Sequence, residues 1–135
     1  MAFNVKLARK ALAWIGRNKA SWNQDTWRCR SGMCFAGVVC ELGGGKWLTS
    51  SRNDDLASFL VPEPGDLPDQ LMTVKFRGRE VKAIHARQRA SRLLGITDYE
   101  DSCNALITMF GASLRLDQIR AEVNRRAEAV KANAS

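Results

Sequence analysis

The sequence predicts a mainly α protein: a compact bundle of four to five helices, interrupted by a small β-hairpin and a Pro-rich loop, in a single globular domain over residues 1–135. Three observations carry that prediction. Residues 4–18 and 116–131 space their apolar side chains at the helical period. Residues 32–42 form a nearly unbroken apolar run that three glycines end. Only residues 72–82 alternate apolar and polar positions with a period of two.

The elements follow in order. In residues 4–18, Val5, Leu7, Ala8, Ala11, Leu12, Trp14 and Ile15 fall on one half of a helical wheel, and Lys6, Arg9, Lys10 and Arg17 on the other. Asn4 is placed as the N-cap. Two readings of the basic half stand: a solvated surface face, or a helix lying on nucleic acid or anionic lipid. Residues 19–31 form a loop whose Trp22 and Trp27 pack down on the core. Ser31 is placed to cap a helix starting at Gly32, buried nearly all round and ended by Gly43, Gly44 and Gly45. The glycine run is not a phosphate loop, because Gly45-Lys46-Trp47 lacks the Ser or Thr hydroxyl and follows a helix instead of preceding one.

Residues 54–60 are expected to make a short helical turn capped by Asn53. Residues 61–69 hold all three prolines and read as a flexible surface loop. Residues 72–82 form the hairpin, with Met72, Val74 and Phe76 alternating and a turn at Gly78. Residues 83–94 read as a helix stopped by Gly95. Thr97 and Glu100 make a capping-box pattern for a helix running to about Phe110, with Gly111 as its stop. The last helix runs from Leu116 to about Lys131, with Leu116, Ile119, Val123, Ala127 and Val130 as its apolar stripe and a frayed tail. The expected core is Trp14, Trp22, Trp27, Phe35, Val38, Leu42, Leu94, Ile119 and Val123.

The net charge is +7 and unevenly spread. Residues 1–30 carry seven basic residues and one acid, residues 72–92 seven and one, and residues 53–71 five acids and no base. Such blocks fit an anionic partner or intramolecular pairing. No run approaches the ~18 apolar residues of a membrane span. No uncharged apolar block follows a basic start as in a secretory signal. The expected location is the cytoplasm, with Cys29, Cys34, Cys40 and Cys103 reduced.

Three candidate chemistries are weak. The cysteine spacing, Cys29-x4-Cys34-x5-Cys40, barely meets that of structural zinc, and Cys34 and Cys40 point about 240° apart on one helix. Cys34 with Gln24 upstream and His85 downstream has the order of a papain-like hydrolase, but its helix is too apolar for an open cleft. Residues 86–110 have a helix-turn-helix outline, but Asp101 and Asn104 occupy positions that should be apolar, and Glu100 and Asp101 would oppose phosphates. No catalytic residue, metal site or cofactor is therefore assigned. The strongest binding feature is basic. Lys82, His85, Arg89 and Arg92 fall within an arc of about 80° on the expected helix, and Lys75, Arg77 and Arg79 crowd the hairpin before it. These seven could contact a nucleic-acid backbone or another partner, or form a face neutralised by the acidic loop.

Trp22-x-Gln24-x-x-Trp27, then Cys34-Phe35-Ala36-Gly37, then Leu93-Leu94-Gly95-Ile96-Thr97, then Leu116-Asp117-x-Ile119-Arg120 resembles a group of uncharacterised small proteins of actinobacteria and their bacteriophages. Those read W-D-Q-x-x-W, C-F-A-G-W, L-L-G-L-T and N-T-L-D-D-L-R in the same order. The chain departs from them at Val38, at Ser113-Leu114-Arg115 and across residues 98–112. The resemblance implies a phage or prophage accessory protein and carries over no catalytic residue. The matching positions are those expected to be buried. The resulting expectation is a non-enzymatic protein of the host cytoplasm that binds a host macromolecule, foremost a protein. The alternatives are nucleic-acid binding through the basic hairpin and helix at 75–92, and a cysteine-dependent enzyme.

Overall fold

The computed structural model describes residues 2–24, 33–48 and 58–134. Among these it is mainly α, with a small antiparallel sheet. The helices are α1 (Val5–Arg17), α2 (Phe35–Leu42), α3 (Ala86–Leu93), α4 (Tyr99–Thr108) and α5 (Leu116–Ala134), and the strands β1 (Phe59–Leu60), β2 (Met72–Phe76) and β3 (Arg79–His85). Single 3₁₀ turns occur at Lys19–Ser21 and Pro68–Gln70.

Helix α1 forms as its period requires, burying Ala8, Ala11, Leu12 and Ile15 against α2 and α5. Asn4 caps it, its Oδ1 accepting from the Leu7 amide at 3.1 Å. The same residue donates from its backbone N to Leu94 O and from Nδ2 to Leu93 O, which satisfies carbonyls left over at the end of α3. Gly95 ends α3 with φ of 78°, and a side chain there would strike the Ala2 carbonyl. Both the turn and the crossing of the N-terminal segment therefore demand glycine.

Helix α2 is the centre of the core, with Phe35, Ala36, Gly37, Val38, Val39 and Cys40 all buried. It starts at Phe35, later than expected. Met33 is still extended, bridged in parallel to Trp22, and the Cys34 thiol rather than Ser31 is the cap, accepting from the Gly37 amide. Ser31 and Gly32 lie outside the described residues, as do Trp27, Cys29 and residues 53–57 of the expected helical turn. The end of that turn is instead strand: Phe59 pairs with His85 and Leu60 with Ile84.

The hairpin is as expected, Met72 opposite Ala83 through Phe76 opposite Arg79, giving the sheet order β1-β3-β2. Its two-residue turn has φ of 54° at Arg77 and 78° at Gly78, the positive pair that a tight hairpin of right-handed twist needs. Strand β3 continues to His85, because residues 83–85 still have partners in β1 and β2; the following helix thus begins at Ala86, not at residue 83.

Helix α4 is capped by Asp98, which accepts from the Asp101 amide, one residue later than the Thr97 pattern suggested, and ends at Thr108. Helix α5 buries Ile119, Val123 and Ala127 and remains helical to Ala134, past the expected fraying point. Of the expected core, Phe35, Val38, Leu94, Ile119 and Val123 are buried, and Trp14 and Trp22 are half-buried against it. Leu42 is 39% exposed, because it sits at the outer end of α2 where the glycines turn the chain away.

Candidate functional site

The seven basic positions expected to act together do not share a surface. Lys82 and His85 belong to β3 and only Arg89 and Arg92 to α3, so the helical arc that joined them does not form. Arg89 is 1% exposed. Its Nε and Nη2 donate to the two Asp66 carboxylate oxygens at 2.9 and 2.7 Å, and Nη2 also donates to Val61 O. Arg92 pairs with Glu63 and lies 3.3 Å from Asp66 Oδ1. Burial pushes the Asp66 carboxyl up, but the Arg89 hydrogen bonds, the Glu63 amide and the two guanidinium charges outweigh it and hold the group below its ordinary value. The same pairing overcomes the effect of burial on Arg89 and raises its pKa. The Pro-rich loop, expected to be a flexible surface loop, is thus pinned to α3 through Asp66, the pairing with the acidic loop that stood as the alternative reading of the basic positions. Arg89 and Arg92 are structural and leave the candidate surface.

His85 also has a structural part. Its Nδ1 accepts from the Arg87 amide at 3.0 Å as the cap of α3, and its ring meets Phe59 edge-on at 5.3 Å. Burial first, and the Arg87 charge second, lower its pKa, so the ring is neutral near pH 7.

What remains is the hairpin. Its base is buried at Ala83 and Ile84, whereas Lys75, Arg77, Arg79, Glu80 and Lys82 are exposed. Directly opposed residues of an antiparallel pair share a face. One face therefore carries Met72, Val74, Phe76, Val81 and Arg79. The other carries Thr73, Lys75, Glu80 and Lys82, with Lys82 Nζ donating to Thr73 Oγ1. The Arg77 guanidinium covers the Phe76 ring at 5.0 Å. Met72 is 48% exposed, and Val74, Phe76 and Val81 are half-buried. Among the described residues, β2 has a strand partner on one side only. The hairpin is a projecting element with an apolar row, a cationic rim and an open edge.

The cysteine candidates fare differently from the basic ones. Cys34 and Cys40 are buried, and burial pushes the Cys34 thiol up to about 11 despite its amide hydrogen bonds. A nucleophile needs the opposite shift. Among the described residues no group of His, Cys, Asp or Glu is arranged to hold a metal. A cleft of about 510 Å³ lies between Phe3, Asp101, Arg126 and Val130, and no cysteine or histidine lines it. Among the described residues no helix is long and apolar enough to cross a membrane.

Two buried polar residues hold structural roles that the sequence does not assign them. Gln24 is 8% exposed and uses its whole amide. Its Oε1 accepts from Trp22 Nε1 at 3.1 Å and from the Phe35 amide at 2.9 Å, and its Nε2 donates to Met109 O and Gly111 O at 3.0 and 3.1 Å. It ties the start of α2 to the segment between α4 and α5. The available signal was a glutamine inside a tryptophan motif. Arg126 is 6% exposed, forked onto Asp101, bonded to Glu122 and stacked over the Phe3 ring at 5.4 Å. Its partner in α4 lies too far along the chain for any periodicity to reveal. No protein-family model, curated protein or solved structure matches the chain.

Proposed function

We propose that the chain is a non-enzymatic accessory protein of phage or prophage type, acting in the host cytoplasm by binding a host protein. Its contact element is the β2–β3 hairpin. The observation that supports this best is the half-exposed apolar row Met72, Val74, Phe76 and Val81 beside the cations Arg77 and Arg79, on a hairpin whose outer half is exposed. An apolar row rimmed by positive charge suits a partner segment that is apolar with acidic flanks. Nucleic acid is less well served there, because Lys75 and Lys82 lie on the face opposite Arg79 and Glu80 sits between them. The burial and raised pKa of Cys34 weigh against a cysteine hydrolase.

The test is affinity capture from host lysate by the tagged chain, in parallel with Val74→Glu and Arg9→Glu variants whose melting curves match the parent. A discrete partner recovered by the parent and by Arg9→Glu, and lost with Val74→Glu, is the expected result. A recovered set that the hairpin substitution leaves unchanged refutes the proposal.

A further inference from the structure

The remaining unusual surface is the outer face of α1. Residues 1–24 contain Lys6, Arg9, Lys10, Arg17 and Lys19 and no Asp or Glu, so five of the seven net positive charges lie in this segment. At 100° per residue, Lys6, Arg9, Lys10 and Arg17 occupy an arc of about 100°, opposite the buried Ala8, Ala11 and Ile15. All four are exposed. None forms an ion pair with a described residue. This sets them apart from Arg89, Arg92, Arg115, Arg125 and Arg126. Arg89 and Arg92 are held by Glu63 and Asp66, Arg115 by Asp117, and Arg125 and Arg126 by Glu122 and Asp101. Helix α5 packs on α1, and its Glu122 is committed to Arg125 and Arg126.

Ala13 lies within the basic arc and Gly16 about 20° beyond its edge next to Arg9, both exposed, and a Cβ at Gly16 would meet nothing within 4 Å. The middle of the stripe is therefore low, with cations on either side. A partner can approach the helix backbone closely while four long side chains reach around it. From Lys6 to Arg17 the stripe runs about 16 Å along the axis. Duplex DNA presents one charge per about 1.7 Å of its own axis, so four cations over that length can each meet a phosphate.

Competing partners fit less well. Among the described residues the exposed large apolar side chains are those of Leu42, Val61, Leu67, Met72, Tyr99 and Ile107, none of them on α1, so the helix presents no exposed large apolar side chain to sink below lipid headgroups. Nor does the stripe offer the aromatic or aliphatic anchor around which protein interfaces concentrate their energy. It also lacks the Asn or Gln that pairs with adenine edges. We infer that the outer face of α1 is a sequence-independent docking surface for the phosphate backbone of double-stranded nucleic acid, through Lys6, Arg9, Lys10 and Arg17. The inference stands apart from the hairpin reading, because it uses a different element and a different partner.

The experiment is fluorescence anisotropy of the full chain with a labelled 20-base-pair duplex of arbitrary sequence, across a salt series. Four phosphate contacts correspond to a slope of about −3.6 in log affinity against log salt, which is a weakening of roughly 150-fold between 50 and 200 mM. Lys6→Ala with Lys10→Ala is expected to halve that slope without altering the melting curve, and Arg77→Ala with Arg79→Ala is expected to leave it unchanged. The inference is overturned by absence of binding at 25 mM salt. It is equally overturned by binding that the hairpin pair abolishes and the α1 pair does not. Attachment to phosphatidylserine vesicles without attachment to duplex would also overturn it.

Discussion

Replacing Asp66 with Ala is expected to unfold the protein about 10 °C earlier. Asp66 is the main partner of a guanidinium that is 1% exposed, and it accepts from both Nε and Nη2. Removing one member of a buried pair typically costs about 3–5 kcal/mol, because the other charge is left without compensation. Two contacts soften the loss here: Val61 O still accepts from Nη2, and Glu63 lies 3.5 Å from Nη1. The lower end, about 3 kcal/mol, is therefore the better figure. At about 2.1 cal/mol/K of unfolding entropy per residue, 135 residues convert each kcal/mol into roughly 3.5 °C. The assay is a thermal melt followed by far-ultraviolet circular dichroism at pH 7. The sign with pH is fixed by the depressed Asp66 value. Its contribution is present above the unfolded carboxylate value of about 3.9 and is lost as pH falls through the lower folded value, so the gap between parent and variant narrows below about pH 4. Asp66→Leu combined with Arg89→Met should recover most of the loss, since an apolar pair replaces the ionic one. A variant within about 3 °C of the parent at pH 7 would refute the reasoning. Charge reversal at Arg89 is, on the same grounds, a stability perturbation and says nothing about binding.

Two further outcomes are expected. Cys34, with its thiol raised to about 11, should resist a maleimide in the native protein and react once denaturant is added, as read by mass spectrometry of the labelled peptide. Gln24→Glu should lower the melting temperature at least as far as Gln24→Ala, although it is nearly isosteric. It would place carboxylate oxygens against Met109 O and Gly111 O, and a merely space-filling role would instead leave Glu the milder change.

The parts of the fold that could be read in the chain are those governed by local period. Helices α1 and α5 announce themselves through one-sided apolar spacing, and the hairpin through alternation around Gly78. Boundaries were lost where the deciding group was remote or chemically unusual. The thiol of Cys34 is not among the usual caps, so nothing local marked Phe35 as the first residue of α2. Residues 83–85 are apolar enough for a buried helix, and only their pairing with β1 and β2 makes them strand. That one boundary also undid the basic stripe, because moving Lys82 and His85 onto a strand dissolves the arc. Arg89 and Asp66 are 23 residues apart, beyond the reach of a helical wheel, so a buried cation looked like an exposed one. Of the tryptophan motif, Trp22 is half-buried against the core and Trp27 lies outside the described residues, and the hydrogen-bonding centre Gln24 is recognisable only with Phe35, Met109 and Gly111 in view.

How the cations are distributed decides which partner each surface can hold. Arg89, Arg92 and Arg126 are consumed inside the fold, so the net charge of the chain exaggerates neither surface but hides their difference. On the hairpin, cations alternate with apolar side chains and are divided between two faces, with Glu80 opposite Lys75. Binding there would draw mainly on apolar burial and respond weakly to salt. On α1 the cations share one face with small residues and no acid. Binding there would draw on counterion release and respond steeply. Salt therefore separates the two surfaces in a single titration: a partner retained at 500 mM belongs to the hairpin, and one released below 200 mM belongs to α1.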